Sequence, residues 1–477
     1  MLSFLDILII ALYFILILGL GIYFSKKQKN TEDYFKARER IPGWAAGLSL
    51  FGTALSPITF MAIPAKTYST DWSYFLLNMS VFLAVPLVVY LFIPFYRKTN
   101  IKTAYEYLEI RFSVIIRLVG SICFILYQIG RMGVVLFLPS IALNLVTGID
   151  LFICISLMGF VSLIYTLLGG IEAVIWTDVV QVFVLMGGVI ISLVMIVIKT
   201  EGGFVSIIET AHLEEKFNAF DLTLSLKEPT VWVMLFGGFF INLTTYGTDH
   251  TMVQRYLVTP TKEESQKSIW IGALLTIPSS LIFFFIGTSL FVFYKMNPSA
   301  LNENFITDDA IFPWYIVTQL PAGISGILIA AIFAAAMSSL SSSMNAGAAS
   351  FNVDIFDRFG WGKNVDPMKM ARWTTFIIGS FGILFAFYMA TYDIKSLWDE
   401  FNKILGLIFG SLGGVFLLGL STKKANTKGV LCGIVISFLI QIFISQFQAL
   451  HLLLYASTGV ISCFISGYLA SLLFKDQ

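Results

Sequence analysis

Thirteen apolar runs, each long enough to cross a lipid bilayer, constrain this chain more than any other feature. They fall near residues 5–25, 43–68, 72–96, 114–147, 150–168, 171–198, 230–253, 268–294, 322–354, 373–391, 397–420, 429–446 and 449–474. A helix needs about 20 apolar residues to span the hydrocarbon. Inside lipid every backbone polar group has to be paired, which leaves helices and closed barrels as the only spanning structures. Runs of this length without alternation predict helices, so the expected class is an all-α integral membrane protein. Composition agrees: 57% of the 477 residues are apolar and 12% charged, with 45 Phe, where a soluble domain carries about a quarter charged residues. The first run has no small-residue cleavage pattern and is read as a retained helix rather than a signal peptide. A shorter run near 310–319 predicts an extracellular surface helix.

Thirteen spans place the termini on opposite sides. With the N-terminus outside, 22 of the 30 Lys and Arg residues fall in cytoplasmic segments or span ends, Arg255, Lys363 and Lys475 among them, and 6 fall outside, Lys66 and Lys395 among them. That asymmetry is the positive-inside signature. It predicts a multi-pass protein of the cell membrane with a cytoplasmic C-terminus. The remaining two, Arg131 and Lys403, lie inside predicted spans. The formal net charge of +1 gives no reason to expect a nucleic-acid partner. Cys123, Cys154, Cys432 and Cys463 sit in apolar stretches without metal-ligand spacing and read as small buried hydrophobes.

Function in such a chain is sought where the lipid rules are broken, because polar groups at depth are costly. The second span contains Ser56-Pro57 near its middle. Ser as N-cap before Pro at the first helical position is a helix start, so the helix is expected to stop near Gly52–Leu55 and restart at Ser56. The restart offers free N–H groups to an anion, and the interrupted half offers carbonyls to a small cation. The competing reading is a proline kink without a site. Arg131 lies midway along the fourth span and calls for an acidic partner or a ligand carboxylate. Asp178 lies about two turns from the cytoplasmic end of its span, with no basic residue at helical spacing; a bound cation, a proton, or contact with interfacial water would each account for it. Ser338, Ser341 and Ser342 share a helical face, with Ser339 beside them, which fits either a weakly charged cage for Na⁺ or close helix packing. Together, a broken helix, a buried cation, a buried anion and a hydroxyl cluster at similar depth point to a coupled transporter.

At these residues the chain resembles the sodium/solute symporter family. The most specific segments are Gly-Gly-Ile-Glu-Ala-Val-Ile-Trp-Thr-Asp-Val-Val-Gln at 169–181 and Ala-Ala-Met-Ser-Ser-Leu-Ser-Ser at 335–342, and the stretch from Pro42 to Trp72 is similar to that of the bacterial sialic acid branch. The resemblance implies a LeuT-type fold forming a single transporter domain. It would comprise an extra helix at 5–25, inverted five-helix repeats at 43–198 and 230–420, and two extra helices at 429–474. The first helix of each repeat would be broken, the second near Asn242–Asp249, where Gly247 suits an interruption. It further implies a first Na⁺ site from carbonyls of Gly52, Leu55 and Ala335 with hydroxyls of Ser338 and Ser339. A second would use Asp178, Ser338, Ser341 and Ser342. Substrate contacts would come from Ser56, Thr59, Tyr74, Asn78 and Arg131. Tyr74 and Asn78 stand where the branch is expected to have Phe and Gln.

The resulting expectation is a sodium-driven symporter, functional as a monomer, importing an acidic sugar of the sialic acid class by alternating access. The alternatives are a symporter of the same fold for another small carboxylate such as proline, and a non-transporting sensor on this scaffold. An intramembrane hydrolase is disfavoured, since no base is placed beside a nucleophile and no Gly-x-Ser-x-Gly elbow exists.

Overall fold

A computed structural model describes residues 2–99, 101–301, 308–361, 365–391, 397–447 and 450–474. Lys363, Lys395 and Lys475 lie outside these, and Lys403 is described only as part of a helix. The described chain is helical. Ten helices are long and apolar enough to cross a membrane, and a bent pair makes eleven.

The helices used below are α1 (Phe4–Ser25), α2 (Thr31–Lys36), α3 (Gly43–Ala54), α4 (Pro57–Ser69), α5 (Phe75–Thr99), α6 (Val114–Thr147) and α7 (Leu151–Lys199). They continue with α8 (Val231–Thr248), α9 (His250–Leu257), α10 (Lys262–Met296), α11 (Ile311–Gln319), α12 (Ile324–Ser350) and α13 (Pro367–Met389). The last three are α14 (Leu397–Ser421), α15 (Thr427–Phe447) and α16 (Leu454–Leu473).

Helix α7 is 49 residues long, about 74 Å at 1.5 Å per residue, more than twice the hydrocarbon thickness. Its backbone leaves helical geometry at Gly170 (φ 56°, ψ −157°). A Cβ there would stand 2.7 Å from the carbonyl oxygen of Tyr34. Glycine thus permits both the left-handed φ and the close approach of α2, and the two apolar runs read as separate spans are joined through this bend.

Helix α12 is the central post. All but two of its residues are buried, and it packs most extensively on α7. By contrast α1 and α15 present Leu, Ile and Phe outward, with Phe4 82% and Phe443 60% exposed, as lipid-facing helices should. Helix α11 forms over the run expected as a surface helix, but it is packed inward: Ile311, Phe312, Tyr315 and Ile316 are buried and Phe312 stacks on Phe60 at 5.1 Å. A stretch this apolar gains more by burial than by lying free.

Candidate functional site

The break expected in the second span is present. Helix α3 ends at Ala54, Leu55 adopts φ −79°, ψ 80°, and Ser56 caps α4 with Pro57 at its first position. The two halves meet at 52°. The Ser56 N–H donates to the Ala54 carbonyl at 3.1 Å rather than to Gly52, and the Thr59 N–H donates to Ser56 Oγ at 3.4 Å rather than to Leu55. The carbonyls of Gly52 and Leu55 therefore lack the N–H four residues on that a continuous helix would supply.

Gly52 itself lies beside the serine helix. A Cβ on Gly52 would lie 2.8 Å from Val182 Cγ2 and 3.6 Å from Ser338 Oγ, so the missing side chain lets α3 approach α7 at Val182, with Ser338 of α12 in contact range. Ala335, Ser338, Ser339, Ser341 and Ser342 are all buried there. Ser339 Oγ has no hydrogen-bond partner among the described residues. A buried hydroxyl without a partner and two carbonyls freed at a helix break are the kinds of oxygen that suit a small hard cation.

Asp178 is not the unpaired carboxylate that helical spacing suggests. Its Oδ2 lies 2.9 Å from Arg255 Nη2, and both side chains are fully buried. Ser49 donates to the same oxygen at 2.5 Å, and Ser338 donates to Oδ1 at 2.7 Å. Arg255 also donates to Ser49 Oγ, the Thr251 carbonyl and Ser342 Oγ. Arg255 was counted as a cytoplasmic basic residue, but α9 carries it into the interior. It lies 77 residues from Asp178, so no periodicity on one helix could reveal the pair. Ser341 donates to the Ser338 carbonyl at 3.1 Å, and Ser342 shares a 3.1 Å hydrogen bond with Thr53 Oγ1.

A cavity of about 200 Å³ opens beside the first break. Ser56, Thr59, Asn78 and Arg131, four of the five residues implied as substrate contacts, line it. Arg131 is 7% exposed, and its Nη2 donates to the Thr53 carbonyl at 3.0 Å, closing the end of α3. Its Nε is buried without a partner. Among the described residues no carboxylate lies within ion-pair distance of it, although Asp249 lines the same cavity. Asn78 donates to Ser280 Oγ at 3.0 Å. Tyr74 is not in the cavity wall. It begins the turn before Asn78, with the Lys66 ammonium 5.2 Å from its ring centroid and the His451 ring 6.4 Å away.

The second interruption sits at Asp249, not Gly247. Helix α8 runs through Thr248, and Asp249 (φ −71°, ψ 115°) caps α9 by accepting from the Thr251 N–H at 2.7 Å. An Asp N-cap is itself a start signal and was the better cue. Sequence reasoning also missed Asn242, Thr245, Ser279 and Ser280 in the cavity wall; neutral polar residues scattered over two helices leave no local pattern. His250 accepts from the Ala104 N–H at 3.4 Å and packs on Tyr105 and Phe124, so among the described residues no nucleophile adjoins its ring.

Residues 34–437 match the sodium:solute symporter family. The chain belongs to that family. It is 40% identical over 464 residues to the sodium/sialic acid symporter of Aliivibrio fischeri, covering 97% of this chain and 92% of that one. A structure described as the substrate-bound, outward-open state of a Na⁺-coupled sialic acid symporter superposes with a TM-score of 0.93 at 38% identity, covering 99% and 98% of the two chains. The nucleobase-cation-symport-1 transporter Mhp1 superposes with a TM-score of 0.61 at 15% identity, over 91% of this chain and 93% of that one, a likeness of fold alone. This family member is therefore a sodium-coupled secondary transporter with an all-helical, multi-span fold, and its family is one of transporters rather than of enzymes.

Proposed function

We propose that this protein is a sodium-driven symporter that imports sialic acid, N-acetylneuraminic acid and its close relatives, across the cell membrane by alternating access. The observation that carries the reading is Arg131. A buried guanidinium lines the cavity with its Nε unpartnered and, among the described residues, no carboxylate in ion-pair range, beside the Ser56-capped start of α4. Two independent features thus favour one ligand carboxylate. Asn78, Asn242, Ser279 and Ser280 would meet the hydroxyl-rich remainder of an acidic sugar, and Tyr74 would act from outside the cavity wall.

The architecture we favour has thirteen spans, with α7 counted as two, the α3/α4 pair as one, the α8/α9 pair as one and α14 as another. The repeats would be 43–198 and 230–420, flanked by 5–25 and 429–474, with the N-terminus outside. The distribution of Lys and Arg supports that orientation. The first sodium ion would be held by Gly52, Leu55, Ala335, Ser338 and Ser339. The second would use Asp178, Ser338, Ser341 and Ser342, where the ion has to share a carboxylate with Arg255 and so binds more weakly. Sodium at the first site would tie α3 to α12 and fix Ser56 and Thr59 for the solute, so each ligand raises the other's affinity. Two sodium ions with one carboxylate carry one net charge, and about 100 mV of potential adds about 2.3 kcal/mol to its entry.

The test is uptake of labelled N-acetylneuraminic acid into proteoliposomes, driven by a Na⁺ gradient or with K⁺ in its place. Accumulation with Na⁺ alone, falling at least about 100-fold in Arg131→Ala, is the expected result. Full accumulation in that variant would remove the clamp, and sodium-driven uptake of a different acid would replace the substrate.

A further inference from the structure

A second cavity, of about 400 Å³, lies where α2 meets the end of α12 and the start of α13. It shares no lining residue with the cavity at Arg131. Its wall includes Phe35 of α2, Ala349 at the end of α12, Asn352 in the π-helical turn Phe351–Phe356 that continues it, and the charged side chains Glu32, Lys36 and Asp357.

One face of α12 leads into it. Ser338, Ser341 and Ser342, Asn345, Ala349 and Asn352 follow one another at three- and four-residue steps, and residues so spaced stack on one side of a helix. The upper members belong to the proposed sodium sites, and the lower ones line the second cavity. Asn345 is the step between. It is fully buried, and its Oδ1 accepts from Gln254 Nε2 at 2.9 Å. The same Nε2 donates to the Phe35 carbonyl at 2.9 Å. Gln254 Oε1, Asn345 Nδ2 and, further up, Ser339 Oγ are buried with no partner among the described residues. Buried polar atoms are nearly always paired. A file of unpaired ones is what a track for water and ions requires. Phe35, 7% exposed, stands between this file and the cavity.

We propose that the second cavity is the release vestibule for the co-transported sodium, entered from the serine face of α12 past Asn345 and Gln254 when Phe35 moves aside. Glu32 and Asp357 draw the cation outward, and Lys36 with the neighbouring Lys102 keeps it from being held. This rests on the sodium coupling and N-outside orientation proposed above, which would make the cavity cytosolic.

The experiment uses the full chain in proteoliposomes. Val353, which also lines the cavity, is replaced in Val353→Cys and exposed to a membrane-impermeant cationic methanethiosulfonate from one side at a time. The unsubstituted chain, with its four cysteines, sets the background. Phe35→Ala and the milder Phe35→Leu are assayed for single-turnover release of ²²Na⁺. The proposal expects cytosolic reagent alone to modify Val353→Cys and to slow sodium-driven uptake at least about fivefold. It also expects Phe35→Ala to speed ²²Na⁺ release about tenfold and Phe35→Leu less, with external sodium half-saturation held within about twofold. Complete cytosolic modification with undiminished uptake, or unchanged release in a Phe35→Leu protein that still binds solute, overturns the vestibule. Modification from outside alone overturns it through the orientation, and absence of sodium dependence in the unsubstituted chain overturns it through the coupling; both read out separately from the first two results.

Discussion

The two proposed cation sites share Ser338, yet the fold has prepared them in opposite ways. At the first, α3 ends and two carbonyls lose their helical partners, while Ser339 Oγ has no hydrogen-bond partner among the described residues. Three of the five proposed ligand groups, the Gly52 and Leu55 carbonyls and Ser339 Oγ, are thus free of their usual partners, while Ser338 still donates to Asp178. At the second, each carboxylate oxygen of Asp178 already accepts a hydrogen bond, and Arg255 holds both Asp178 and Ser342. A neutral, largely unpaired set of oxygens needs little rearrangement to take an ion, and its cost is carried by the broken helix. A charged site inside a membrane cannot be left bare, because an isolated buried carboxylate is far too costly. It therefore comes with an internal counter-ion, and a visiting cation has to share with it.

The largest effect that tests this contrast is on folding, not transport. Asp178→Asn leaves the Arg255 guanidinium buried and uncompensated, a loss of about 3–5 kcal/mol. Unfolding of the purified protein in detergent should show it, and Arg255→Gln added to Asp178→Asn should recover most of it. A single variant as stable as the parent would mean that Asp178 is not the counter-ion and that the second site is bare after all.

Ser339→Ala probes the other side of the comparison. Its hydroxyl has no partner to strand, so stability should stay within about 0.5 kcal/mol of the parent. Loss of one ligand should raise the sodium concentration for half-maximal uptake about tenfold, the equivalent of about 1.4 kcal/mol. Unchanged sodium dependence together with a fall in stability would make Ser339 a packing residue.

The sequence made the first site legible because its code is local. Ser56-Pro57 is a cap and a first-turn residue in two adjacent positions, and the serine face is a simple period of three and four. The bend at Gly170 was likewise marked by paired glycines. What escaped was non-local. Arg255 reaches Asp178 from another helix across 77 residues, and no spacing rule applies between helices. Tyr74 sits one turn outward of Asn78, and whether that turn faces the cavity depends on how α5 rotates against α4, which is set by packing. Asn242 and Ser280 enter the cavity through the same tertiary arrangement. In the second broken helix the stretch Asn242–Asp249 holds the interruption, at its last residue: Gly247 stays helical and Asp249 supplies the cap that restarts the chain.

Ser342→Ala should have the smallest effect and discriminates most finely. Ser342 is both a proposed ligand of the second ion and a protein contact, since its Oγ receives Arg255 and pairs with Thr53 at 3.1 Å. Because those contacts are already made, removing the hydroxyl should cost stability of about 1 kcal/mol. The sodium requirement should rise less than in Ser339→Ala, about threefold at most, since the ion at this position competes for an oxygen that Arg255 already holds. Denaturant titration and sodium activation curves on the same preparation give both quantities. The reverse pattern, unchanged stability with a tenfold rise, would mean that Arg255 stands clear of Ser342 whenever sodium binds. The second site would then be as ready as the first, and the asymmetry between them would belong to one state of the transport cycle rather than to the ion sites themselves.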